Sequence, residues 1–128
     1  MICDNGDYYN GFWEDNEYNG FGVLAKKNSL FKGFFRKDKK NGYGIKYTLN
    51  SEENKTNLIL VGNWVENSLE KLALGINSET YKVMCIYMFV NNKLKSTTND
   101  ENIIKEKTVN NKECTNLLNF YLEYKDRE

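Results

Sequence analysis

A gapless internal repeat constrains this chain more than any other feature. Tyr9-Asn10-Gly11-Phe12-Trp13 recurs as Phe31-Lys32-Gly33-Phe34-Phe35 at a shift of 22 residues, and Asn19-Gly20-Phe21-Gly22 recurs as Asn41-Gly42-Tyr43-Gly44 at the same shift. Self-similarity at a fixed period of roughly 20–50 residues marks an array of supersecondary units, each of which buries its apolar surface against its neighbours. A third copy opens at Leu60-Val61-Gly62-Asn63-Trp64 after the polar insertion Asn50 to Asn57. It then decays, because Lys71 and Ala73 stand where the paired glycines belong.

The alternation inside one unit is that of a β-strand. A period of two places Tyr9, Gly11 and Trp13 on one face and Asn10, Phe12 and Glu14 on the other. The polar stretch Glu14 to Asn19 reads as a turn, and Gly20-Phe21-Gly22-Val23-Leu24 reads as the returning strand. Each unit is therefore a predicted β-hairpin, with units near 8–29, 30–49 and 58–76. Glycine within a strand marks close approach by another group. The expected visitors are the rings of Trp13, Phe35 and Trp64, lying over glycines of neighbouring strands. Gly11, Gly20, Gly22, Gly33, Gly42, Gly44 and Gly62 are read as structural on that basis.

The unit resembles the MORN (membrane occupation and recognition nexus) repeat, which runs approximately Tyr-x-Gly-x-Trp, a short turn, then Gly-x-Gly. Tyr9, Gly11, Trp13, Gly20 and Gly22 match it throughout. Phe31, Gly33, Phe35, Gly42 and Gly44 match with aromatic replacements, and Gly62 and Trp64 match in the third unit. The resemblance covers about residues 8–76. It implies a scaffolding role in membrane-associated or cytoskeletal assemblies, company with catalytic domains, and phospholipid binding or self-association.

Residues 78–128 read as the end of the same domain. Glu79 to Val90 has strand character, Asn91-Asn92-Lys93 makes a turn, and Leu94 to Thr98 offers a partner strand. Cys114, Leu117, Leu118, Tyr121 and Leu122 recur at helical spacing within Asn111 to Lys125. Ile103, Ile104 and Val109 mark a further short element of undecided type. The helix is read as a cap on the sheet, or alternatively as a partner-binding helix whose Phe120 and Tyr124 face outward. The expected fold is mainly β: a single-layer antiparallel sheet of repeated hairpins with a C-terminal β segment and a capping α-helix.

Composition removes most catalytic classes. Without His, the Ser-His-Asp and Cys-His nucleophile systems and His-rich zinc centres cannot be built. The Gly-x-Gly pairs lack the third glycine, helix and distal acid of a dinucleotide site. Glu14/Asp15 and Glu52/Glu53 fall in predicted turns without apolar surroundings, and they read as solvated carboxylates. Cys3, Cys85 and Cys114 have neither zinc-knuckle spacing nor an even count. No enzyme activity, cofactor or metal is expected. The chain's start is too polar for a signal peptide and no apolar run spans a membrane, so a cytoplasmic setting, peripheral to membrane or cytoskeleton, is expected.

The zero net charge conceals a dipole. Residues 1–25 hold Asp4, Asp7, Glu14, Asp15 and Glu17 with no basic residue, whereas Lys26, Lys27, Lys32, Arg36, Lys37, Lys39, Lys40 and Lys46 follow against Asp38 alone. The basic set reads as a solvated face, as half of a head-to-tail homodimer contact, or as a site for anionic phospholipid. Nucleic acid is not expected without a general basic excess. The aromatic face (Tyr9, Trp13, Phe31, Phe35 and Trp64) reads either as self-packed or as a groove for a partner's peptide or helix. The function expected is a non-catalytic protein-interaction scaffold, with an accessory subunit of a signalling enzyme complex as the alternative.

Overall fold

Glycine faces glycine across most of the sheet, and this register organises the molecule. The computed structural model describes residues 7–27, 29–50, 55–91 and 93–126; Cys3, Asp4 and Glu52/Glu53 lie outside them. The described residues form strands β1 (Tyr8–Glu14), β2 (Glu17–Lys26), β3 (Ser29–Arg36), β4 (Lys39–Asn50), β5 (Lys55–Val65), β6 (Ser68–Asn77), β7 (Val83–Val90) and β8 (Lys93–Thr98), followed by helices α1 (Glu101–Asn110) and α2 (Lys112–Tyr124). The strands make one antiparallel sheet in chain order. Its central row runs Gly11↔Gly22, Gly22↔Gly33, Gly33↔Gly44, Gly44↔Gly62 and Gly62↔Ala73.

Each of the three repeat hairpins turns through two residues only. Asp15-Asn16, Lys37-Asp38 and Glu66-Asn67 all have positive φ, the type I′ geometry whose twist matches the flanking strands. The six-residue turn expected at Glu14 to Asn19 is thus shorter, since Glu17 to Asn19 already belong to β2. A bulge follows in every hairpin: between the glycine pair and the pairs Trp13↔Tyr18, Phe35↔Lys40 and Trp64↔Leu69, the second strand holds the extra residues. Gly20 (φ 94°), Gly42 (φ 117°) and Lys71 (φ 63°) lie in those bulges. The decayed third unit keeps the geometry of the other two, with Lys71 adopting a left-handed backbone that disfavours any Cβ-bearing residue.

The two faces are covered by different means. On one, Ile45, Ile59, Val61, Leu72, Leu74, Ile76 and Ile86 form a core with Ile104 of α1 and with Cys114, Leu117, Phe120 and Tyr121 of α2. On the other, Tyr9, Leu24, Phe31, Phe35 and Trp64 make a second buried cluster without any helix. Strand β7 begins at Val83, later than the expected Glu79, because Asn77 Oδ1 accepts from the amides of Glu79 and Thr80 and folds that segment into a turn.

Ile103 and Ile104 fall in α1, capped by Asp100, whose carboxylate accepts from the amides of Asn102 and Ile103. Asn111 caps α2 through Cys114. The buried stripe of α2 includes Phe120 in place of Leu122, which is 56% exposed. Phe120 and Tyr124 stack on each other (4.6 Å) and meet Phe34, Tyr43 and Phe21 of the sheet. The reading of those two rings as an outward partner site is therefore corrected: α2 turns them onto the sheet.

Candidate functional site

The rings over the glycines are the first aromatics of each unit. Tyr9 stands opposite Leu24 and leans diagonally, so the atoms nearest a Cβ built at Gly22 are those of its ring; Phe31 does the same at Gly44. Diagonal cross-strand neighbours are within reach of a large ring. This corrects the assignment of that role to Trp13, Phe35 and Trp64. Of those three, Trp64 meets a glycine position, that of Gly62 on its own strand, at 3.6 Å. Phe35 instead fills the space between Tyr9, Tyr18 and Phe31, at centroid distances of 5.3, 5.7 and 5.3 Å. Phe31 meets Trp64 edge-on at 5.0 Å.

This edge-to-face packing seals the aromatic face from within. Tyr9, Phe31, Phe35 and Trp64 are buried with no helix over them, so they do not line an open groove. Burial of each ring contributes on the order of 1.5–3 kcal/mol. Trp13 differs: at the start of the row it remains 41% exposed, against 4% for Phe35 at the same repeat position. Phe12 beside it is 68% exposed and packs against Gly20, as Phe34 packs against Gly42.

The basic residues do not form one patch. Lys32 is buried on the helix side, where its ammonium donates to the Lys125 carbonyl at 2.8 Å and lies over the Tyr47 ring. It supplies the cation missing from the last turn of α2. Lys40 lies over the Phe31 ring at 5.0 Å, and burial together with Lys46 and Lys26 pushes its pKa down to about 8. Lys26 is paired with Asp7 at 3.9 Å. Arg36, Lys37 and Lys39 surround the exposed β3–β4 turn, whereas Lys26 and Lys27 sit at the other end of β3, about 23 Å away at the usual rise per strand residue.

Consecutive hairpins are tied by a reciprocal clasp that the sequence reading missed. Asp38 donates its amide to the Tyr18 carbonyl (3.1 Å) while its carboxylate accepts from the Tyr18 amide (2.7 Å). Asn67 does the same with Lys40, at 3.1 and 2.9 Å. The signal was present as Asn16, Asp38 and Asn67 at equivalent turn positions, but polar residues in a turn have a sufficient local explanation.

Beside the clasp, an open groove of about 700 Å³ separates the first two turns, with Glu14, Asp15 and Glu17 facing Arg36 and Lys37. Among the described residues no group of His, Cys, Asp and Glu is placed to hold a metal ion. Cys85 and Cys114 are buried free thiols, and burial raises the Cys114 pKa, which keeps it a poor nucleophile. No helix among the described residues is long and apolar enough to cross a membrane. No protein-family model matches the chain, and no curated protein matches its sequence.

Proposed function

We propose that the chain is a non-catalytic protein-interaction scaffold, in keeping with its resemblance to MORN-type repeats. One observation carries the reading. Helices cover the sheet's core face and its own rings seal the aromatic face, yet the edge strand β1, which has a neighbour on one side only among the described residues, keeps Tyr8, Phe12 and Trp13 exposed. An unpaired strand edge with exposed aromatics is a template for pairing with another chain. The scaffold belongs at a membrane-associated or cytoskeletal assembly in the cytoplasm, where it serves as an accessory component of a larger complex. A second reading, contact with anionic phospholipid, rests on the exposed turn residues Arg36, Lys37 and Lys39.

A photoreactive amino acid at Phe12 tests the first reading, with one at the 77% exposed Val109 of α1 as control. The scaffold reading expects a discrete adduct in cells from position 12 and none from position 109. The same pattern from both positions, or no adduct at all, overturns it.

A further inference from the structure

We propose that the outer edge of β1, from Gly11 to Asn16, docks a basic Gly-x-Gly β-strand of another protein. The inference rests on the scaffold reading above and adds the site and the chemistry of the partner.

The internal joints of the array show what such an edge accepts. Strand β2 docks on β3 with Gly22 opposite Gly33 and Gly20 opposite Phe35, and β4 docks on β5 with Gly44 opposite Gly62 and Gly42 opposite Trp64. At each joint the turn residue Asp38 or Asn67 clasps the backbone of the incoming strand. Strand β1 carries the same set at the same positions: Gly11 for Gly33, Trp13 for Phe35, and Asn16 (φ 66°) for Asp38 (φ 67°). Among the described residues β1 has a neighbour on one side only. Trp13 is exposed where its equivalents Phe35 and Trp64, each with further strands across its edge, are buried.

Charge selects the kind of strand. Glu14, Asp15 and Glu17 gather three carboxylates around the β1–β2 turn, with Arg36 and Lys37 facing them from the β3 side of the sheet, opposite to the outer edge of β1, while Asp7 at the far end of β1 is paired with Lys26. A strand like β2, which begins at Glu17, brings a further carboxylate. A strand like β4 brings Lys39, Lys40 and Lys46 together with Gly42 and Gly44. Opposite charge across an interface steers encounter and rejects like-charged competitors. The edge strands of a second copy fit less well: β8 contains no glycine, and β1 repeats the same acids. Main-chain hydrogen bonds to an exposed edge supply affinity, and the glycine and charge pattern supplies specificity.

The probe is a synthetic peptide with the sequence of residues 39–48, titrated into the ¹⁵N-labelled full chain. The expected result is amide shifts concentrated at Gly11 to Asn16 and a shift of the Trp13 indole. Glu at the three lysine positions of the peptide should weaken binding at least tenfold. Asn16→Gly keeps the backbone conformation, removes the side-chain acceptor, and should weaken binding about fivefold, the value of one hydrogen bond. The proposal is overturned by absence of these shifts at millimolar peptide, by shifts confined to other surfaces, or by equal binding of the Glu peptide. Shifts of the same amides with protein concentration alone overturn it in favour of a second copy. Adducts at Phe12 in cells without peptide binding leave the scaffold reading standing and sink only this partner chemistry.

Discussion

The ring of Tyr9 occupies the place where a side chain at Gly22 would begin, and its hydroxyl donates to the Phe12 carbonyl at 2.9 Å. One missing Cβ thus lets a single sheet bury an aromatic ring with no second layer above it. Gly22→Ala should cost about 1–3 kcal/mol through overpacking, and Tyr9→Ala about 3–5 kcal/mol. In urea titrations the double variant should lose clearly less than the sum, because both changes act on one contact. Additive losses would show that ring and glycine are independent.

Lys71 holds φ 63° where the first two units have glycine. A left-handed backbone disfavours residues bearing a Cβ. Lys71→Gly should therefore raise stability, by about 0.5–1 kcal/mol, while Gly42→Ala, with Phe34 Cβ at 3.2 Å from the added atom, should lower it. Denaturant midpoints of the two variants check the opposite signs.

Lys32 ties the sheet to the end of α2 through the Lys125 carbonyl. Its replacement by Met should cost about 1.5–3 kcal/mol, the range for a hydrogen bond to a charged group. Hydrogen exchange should quicken most in the last turn of α2, and unchanged protection there would refute the capping role.

Alkaline titration separates two opposing groups. Burial pushes the phenols of Tyr9, Tyr47 and Tyr87 up to about 12 from 10.0. A raised folded pKa means the folded chain holds these protons longer, so their stabilisation is complete below pH 10 and is lost as pH rises through 12. Lys40 runs the other way, lowered from 10.5 to about 8. Between those values the unfolded chain binds more protons, and its titration adds stability as pH rises. Urea midpoints across pH 7–12 should be lifted by Lys40 between 8 and 10.5 relative to a Lys40→Met variant, then fall steeply. Since the neutral amine is the nucleophile, Lys40 should also be acetylated readily at pH 8, which peptide mapping reads directly.

The repeat was legible in the residues because its demands are local. An aromatic-Gly-aromatic strand, a polar turn and a Gly-x-Gly return can be met only by hairpins, and equal spacing aligns them into one sheet. The strand pair after residue 78 and the amphipathic helix near residues 111–125 followed from short-range pattern as well. Two-fold alternation, however, cannot say which ring leans over which glycine; the diagonal reach from Tyr9 to Gly22 depends on cross-strand register. Nor could it foresee that Phe120 would displace Leu122 from the buried stripe, since that choice depends on Phe34 and Tyr43 far away in sequence.

The same division holds for the candidate sites. Sequence alone determined that the chain is a hairpin array with an acidic first unit and a basic second one, because glycine spacing and charge are properties of consecutive residues. Tertiary structure decided what those residues are available for. It took Lys32 into a helix end, spread the other cations to opposite ends of β3, closed the aromatic face with its own rings, and left Trp13 and Asn16 on a hairpin with no strand across its outer edge among the described residues. Exposure and clasp geometry arise from residues 20 to 93 positions apart meeting in space, and no local pattern encodes which member of a repeat will pair on one side only among the described residues.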